Sequence, residues 1–360
     1  MDTSKYFKDL KVIELASVLA GPAVGMFFSE LGADVIKVEN KPGGGDVTRS
    51  WKLPVEDTEC EYSAYFCSVN WQKKHFFLDL SQENHQLRVH EWIKAADVVI
   101  SNFKTSSALK MRMDYATLKS INPTLIFAQI YSFEEENDVP AYDIVLQAET
   151  GFLSMTGEKD RLPVRMPIAM IDLMASHQLK EGILLAMIEK YRTGKGAFVS
   201  VSLYDAALAS LANQASNYLM TGVIPQRMGS QHPNIAPYGD VFISKDNQML
   251  VFAVGTDVQF EKLCKVLGAE SLLQYPGFVS NALRVIHRSE LVTALQDKII
   301  LLNSDSIIAD CKLYQIPAGS VKDLKEVFAR ESAQRLVLTE KMHDGKTTKR
   351  VKTAVFKIRH

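Results

Sequence analysis

The chain has 360 residues, 41 Lys and Arg against 42 Asp and Glu, a formal charge of −1, and 47% apolar side chains. Such a length and composition suit one large globular domain or two ordinary ones with a substantial core. Near-neutrality argues against a partner with a nucleic-acid backbone, and no apolar run reaches the roughly 20 residues of a membrane span. The opening, MDTSKYFKDLKVIEL, enters a strand pattern without a signal peptide's apolar core, so a cytoplasmic location is expected. Cys60, Cys67, Cys264 and Cys311 form no CxxC pair and the histidines show no zinc spacing, so free thiols and no metal are expected.

In chain order, residues 11–15 read as a strand, 16–22 as a turn, 24–31 as a short helix closed by Gly32, and 34–38 as a second strand. This β-α-β unit carries AGPAVG rather than GxGxxG, so no dinucleotide site is expected. N–H groups at the helix start can hold a phosphate or thioester oxygen; equally, the segment is a tight turn with Pro22 at the first helical position. The loop Lys41-Pro42-Gly43-Gly44-Gly45-Asp46 follows, then Arg49 and Trp51. A strand within 70–80, a helix over 83–95 and a strand over 97–100 lead to Ser101-Asn102-Phe103-Lys104. The carboxyl end of a parallel strand is where α/β folds bind ligands, although a lone Asn-Phe there is ordinarily only a strand exit. A helix with Lys110 and Arg112 and a strand over 124–131 complete an alternation that argues for a parallel doubly wound sheet. SFEEEND, residues 132–138, is an acidic turn.

The chain's most informative stretch is 163–205. Asp172 stands directly before a helical pattern in which Leu173, Leu179, Ile183, Leu184, Met187, Ile188 and Tyr191 form one stripe, and Gly194 and Gly196 end it ahead of a strand over 198–203. Asp172 reads either as an N-cap or as an ionised nucleophile held on a rigid support, and spacing does not choose between them. Beyond it, a helix over 206–219, a hairpin of 241–244 with 248–254, and helices over 259–267 and 289–301 describe a smaller α+β domain. The basic last stretch, with Glu340 and Asp344 and the apolar Val351, Val355 and Phe356, favours a solvated strand or turn over a nucleic-acid tail.

Several of these segments stand in a recognisable order: VIELASVLAGP, LGADVIKVENKPGGGDVTRSW, NWQKKHFFLDL (His75 where a serine is usual), Asp172 through RTGKG to Leu203-Tyr204-Asp205, and Ile316 to Val321. Together, from about Leu10 to Val327, they resemble the class III CoA-transferases, the formyl-CoA transferase and CaiB/BaiF group. The resemblance implies an α/β fold: a Rossmann-like parallel-sheet large domain with a smaller α+β domain, in an interlocked homodimer. The expected boundaries are a CoA-binding domain over 1–206 completed by 325–360, a linker helix over 207–222, a small domain over 223–318, and a return linker and C-terminal segment over 319–360.

The resemblance also implies the chemistry. Asp172 attacks an acyl-CoA thioester, and CoA passes through an aspartyl-CoA thioester to a carboxylic acid acceptor. CoA contacts are expected at Val18, Leu19, Ala20, Leu78, Asn102, Phe103, Lys104 and Lys110, the last standing where an arginine is common. Trp51, Tyr142 and Asp143 are expected beside the acyl group. Several departures weaken a formyl-CoA assignment: Leu19 replaces a glutamine, Ser81 a CoA-binding lysine, and Ser230 to Asn234 a glycine-rich loop. SFEEEND stands where a glycine-rich stretch is usual, and the chain stops at His360 without the family's C-terminal helix. A 2-methylacyl-CoA racemase of the same fold is one rival, disfavoured because no histidine lies between His90 and His177. A non-catalytic CoA-binding protein is the other.

Overall fold

The computed structural model describes residues 6–134 and 139–359. Within the acidic turn, residues 135–138 lie outside that description, as do residues 1–5 and His360.

The first unit comprises Met1–Leu153, Met166–Val223 and Arg335–His360. Its six strands are β1 (Lys11–Leu15), β2 (Asp34–Asn40), β3 (Lys74–Leu78), β4 (Val98–Ser101), β5 (Ile126–Tyr131) and β6 (Ala197–Ser202). They lie side by side as β3-β2-β1-β4-β5-β6, every pairing parallel. The central strands are nearly unbroken apolar runs because helices cover both faces of the sheet. Successive residues serve opposite cores. Val12, Val98, Ile100 and Ile126 pack with helix α1 (Ala20–Glu30) on one face, while Ile13, Leu15, Val99 and Phe127 pack with helix α2 (Glu83–Ile93) on the other. Phe28 of α1 is fully buried among the first set, and truncating it to alanine would cost about 3–5 kcal/mol. Strand order reverses between β1 and β4, so the connections leaving their carboxyl ends run to opposite sides and open a crevice.

Helices α3 (Thr105–Lys110) and α4 (Tyr115–Ile121) follow β4, and α5 (Asp143–Glu149) follows β5. The longest helix, α6 (Met170–Thr193), ends at Gly194, whose φ of 73° is left-handed. It buries Ile171, Ala175, Leu179, Ile183 and Ala186. The stripe read from the sequence is only half right, because Ile188 is 58% and Tyr191 93% exposed. Small residues, Ala175 and Ala186, take the inward positions because the helix lies close against α1 and the sheet. The single helix expected over 206–219 is two, α7 (Leu203–Ala209) and α8 (Ala212–Thr221), the second opening on Ala212 at a φ of 46°.

The second unit comprises Ser154–Arg165 and Ile224–Gln334, so it takes in a segment that the sequence reading keeps with the first domain. Strands β7 (Tyr238–Ile243), β8 (Met249–Ala253) and β9 (Ala318–Ser320) form an antiparallel sheet in that order. The segment read as a return linker therefore supplies the third strand. Phe242, Leu250, Phe252, Phe260, Leu291 and Leu295 make its core. The last hairpin, β10 (Val337–Lys341) with β11 (Thr347–Val351), belongs to the first unit. Its basic residues are not all solvated: Arg350 is buried, donating to Asn70 O (2.8 Å) and Glu340 Oε2 (2.6 Å).

Candidate active site

A cavity of about 990 Å³ opens at the strand-order reversal, wholly within the first unit. That is near the upper end for small-molecule sites and suits a long ligand. One wall is the connection from β1 to α1. Here the chain turns so tightly that a Cβ on Gly21 would sit 2.3 Å from the Ala16 side chain. Val18 takes the turn with a φ of 73°, a region that β-branched residues avoid, at a cost of about 1–3 kcal/mol. The helix starts at Ala20, so Pro22 is its third residue and not its first, as one sequence reading had it.

Two side chains hold this turn. Asn102, leaving β4, donates to Ser17 O (3.0 Å) and accepts from Ser17 N (3.2 Å), tying the two diverging strands together. Opposite, the Asp46 carboxylate accepts the Val18 N–H at 3.2 and 3.3 Å. Asp46 is itself held by the Thr48 N–H and hydroxyl (3.0 and 2.8 Å) and by Lys37 Nζ at 3.0 Å. Lys37, fully buried on β2, also donates to Ala16 O (2.6 Å) and Glu14 Oε1 (2.8 Å). Burial works against its charge, but Glu14 and Asp46 outweigh burial and raise its pKa above the usual lysine value.

The glycine-rich loop exists to bring Asp46 here. Gly45 has a φ of 102°, and a Cβ on it would meet Glu39 Oε2 and Phe77 at 2.7 Å. Glu39 accepts from Asp46 N (2.8 Å) and from Arg49 Nε and Nη2, each at 2.7 Å, while His75 Nδ1 lies 2.7 Å away. Burial opposes the Glu39 charge, but Arg49 and then His75 prevail and hold its carboxyl well below the usual range.

Asp172 lines the same cavity from α6. It is the third residue of the helix, not its N-cap; the N-cap is Ala169, which makes no side-chain capping bond. The capping work falls to Asp143, whose Oδ1 accepts Ile171 N at 2.7 Å while Gln147 Nε2 donates to Oδ2. Gln147 in turn accepts from Met166 N (3.0 Å), so both ends of the approach to α6 are fixed. Ser176 Oγ lies 2.7 Å from both Asp172 O and Ala20 O, which joins the helix to the turn. No donor or cation stands against the Asp172 carboxylate among the described residues. Burial, and after it the Asp143 charge, push its pKa up to about 7.

Of the residues expected at the site, Val18, Leu19, Ala20, Leu78, Asn102, Phe103, Lys104, Lys110, Tyr142 and Asp172 line this one cavity. Trp51 and Asp143 do not. Trp51 packs edge-on against Tyr65 and Tyr142, with ring centres 5.2 and 6.2 Å apart, and Asp143 is buried against the start of α6, where its charge acts on Asp172. Lys104 and Lys110, both exposed, bracket α3, and Ser81 lies on the cavity wall. Sequence reasoning missed Lys37 and Asp46. The signal was present: a lysine between two apolar residues of an interior parallel strand is anomalous unless it has partners.

The chain as a whole is similar to known proteins along nearly its full length. The profile described as CoA-transferase family III matches residues 7–360. The chain is 36% identical to succinate–glutarate CoA-transferase of Agrobacterium fabrum over 354 residues, 96% of this chain and 88% of that protein. It is 34% identical to acetyl-CoA:oxalate CoA-transferase of Acetobacter aceti, covering 89% of this chain and 82% of the other. The crystal structure of a CaiB/BaiF family protein from Brucella suis, 36% identical, superposes with a TM-score of 0.84 over 98% of this chain and 92% of that one. Profile, relatives and fold agree along nearly the whole length, and the chain belongs to CoA-transferase family III.

Proposed function

We propose that Asp172 is the nucleophile of this CoA-transferase and that the cavity at the strand-order reversal holds the acyl-CoA. The observation that carries the reading is a buried carboxylate, with a pKa of about 7 and no donor or cation against it, on the wall of a large cavity. An Asp172 oxygen attacks the thioester carbonyl; the C–S bond breaks, its electron pair leaves on sulfur, and an acyl-aspartyl anhydride and CoA thiolate result. The thiolate attacks the aspartyl carbonyl, expels the donor acid and forms aspartyl-CoA. The acceptor carboxylate then expels the thiolate to give a second anhydride, whose acceptor carbonyl the thiolate attacks, releasing the new acyl-CoA and Asp172. Poor solvation raises the energy of the Asp172 anion and makes it a better nucleophile than a carboxylate in water. Backbone N–H groups at the start of α1 supply donors for the oxyanions.

Lys104 and Lys110 bind CoA phosphates, while Val18, Leu19, Ala20, Leu78, Asn102 and Phe103 line its path. Tyr142 faces the acyl group, with Trp51 buttressing Tyr142 and Asp143 tuning Asp172. Relatives named for succinate, glutarate and oxalate support short dicarboxylic acids as the acids exchanged. The large domain is Rossmann-like, and a cytoplasmic homodimer is the working form; exposed Leu185, Ile188 and Tyr191 on α6 and Leu219 and Met220 on α8 support burial against a second copy. A racemase reading lacks support, because no histidine lies among the residues lining the cavity to serve as a second acid-base group.

The test is transfer of CoA from succinyl-CoA to glutarate by the wild type and Asp172→Ala. Steady transfer by the wild type alone is expected. Turnover by the variant would refute the assignment, and transfer confined to monocarboxylic acids would refute the dicarboxylate reading.

A further inference from the structure

We propose that Asp46, anchored by Lys37, is a positioning residue that holds the strained Ser17–Val18 turn in the shape that accepts CoA. This inference rests on reading the cavity as the CoA site.

The geometry argues for a tensioned part rather than a passive one. Val18 is a β-branched residue at a φ of 73°, a conformation that persists only where its surroundings over-determine it. Its N–H is held by both oxygens of Asp46, and the neighbouring peptide by Asn102. Asp46 reaches this point only because Gly45 passes where a side chain would collide with Glu39 and Phe77. Lys37 spans the turn, touching Ala16 O on one side and Asp46 on the other. The turn faces the cavity through Ser17, Val18 and Leu19 and connects through Ala20 O and Ser176 to the first turn of the Asp172 helix. Neither Asp46 nor Lys37 needs to touch a reacting atom for this to matter. When the clamp slackens, Val18 returns toward a negative φ and the wall moves.

The strain supplies the test, because glycine adopts a φ of +73° without penalty. Asp46→Asn removes the charge that Lys37 grips, and free CoA titrated into the full chain by calorimetry should bind about tenfold more weakly. In the Val18→Gly background, whose own CoA affinity is the reference because Val18 lines the CoA path, Asp46→Asn should weaken binding by no more than about threefold, a rescue of its defect, while the melting temperature stays depressed. A purely structural role predicts no such rescue. Unchanged CoA affinity in Asp46→Asn, or an equal tenfold loss from Asp46→Asn in the Val18→Gly background, would overturn the proposal. Should Asp46→Asn not fold, Thr48→Val removes only one donor to Asp46, and the same rescue of a smaller loss is required. If the wild type itself fails to bind CoA, the cavity's assignment falls and this proposal with it; wild-type binding without rescue removes this proposal alone.

Discussion

Two carboxylates lie on the wall of one cavity in opposite circumstances. Asp46 has the Val18 N–H, the Thr48 N–H and hydroxyl, and the Lys37 ammonium around it, each at hydrogen-bonding distance. Asp172 has none of these and faces the Asp143 charge. The backbone explains the difference. Asp46 follows a glycine loop that can fold its side chain back onto the sheet, so its charge is spent on architecture. Asp172 sits one turn-position too deep in α6 to cap it, and Asp143 has taken the N–H that would have stabilised it. One anion is satisfied and chemically quiet; the other is left under-solvated where a substrate can reach it.

Breaking each side of the pair should give different losses. The largest belongs to Asp172→Asn, which should abolish CoA transfer by at least about a thousandfold while leaving CoA binding intact. The same change should raise stability at alkaline pH. Folding lifts this carboxyl from about 4 to about 7, so the native chain keeps a proton that the unfolded chain has released. The group therefore costs stability as pH rises across that window, on the order of 4 kcal/mol once above it. Melting curves of the variant and wild type should diverge from pH 4 to 7 and run parallel thereafter; a constant gap would contradict the shift.

Next comes Asp46→Leu, which leaves Lys37 buried beside an apolar side chain and should cost about 3–5 kcal/mol in denaturant unfolding. A loss under about 1 kcal/mol would mean that Glu14 and Ala16 O suffice for Lys37. The smallest effect is on the pH profile. Turnover limited by ionisation of Asp172 should climb through about pH 7. Asp143→Asn keeps an acceptor for Ile171 N but removes the repelling charge, so the rising limb should move to lower pH. Movement the other way would show that Asp143 does not act on Asp172 through its charge.

Much of the fold was readable because parallel strands announce themselves. VVIS and IFAQIY are short apolar runs between helical patterns, and these two strands differ from the expected ones by a residue or two. Asp172 was readable as important but not as to why. Its place relative to the helix start depends on Met170 and Ile171 joining the helix, which needs the Asp143 cap from a separate element. The clamp was harder still, because it is a long-range fact: Lys37, Asp46 and Val18 meet only once β2 lies beside β1. The third strand β9 hid for a similar reason, since AGS carries no strand propensity and forms by pairing with β8. The exposed face of α6 was misread because apolar periodicity does not tell an inward stripe from one left uncovered in a single chain.

The central claim is that Asp172 becomes covalently attached to CoA. Intact-protein mass measured after mixing with succinyl-CoA, followed by hydroxylamine treatment and peptide mapping, tests it directly. The account predicts a CoA or succinyl adduct that hydroxylamine removes, located on the peptide bearing Asp172 and absent from Asp172→Asn. Steady CoA transfer to glutarate with no adduct at any time, or an adduct on a different residue, would contradict it.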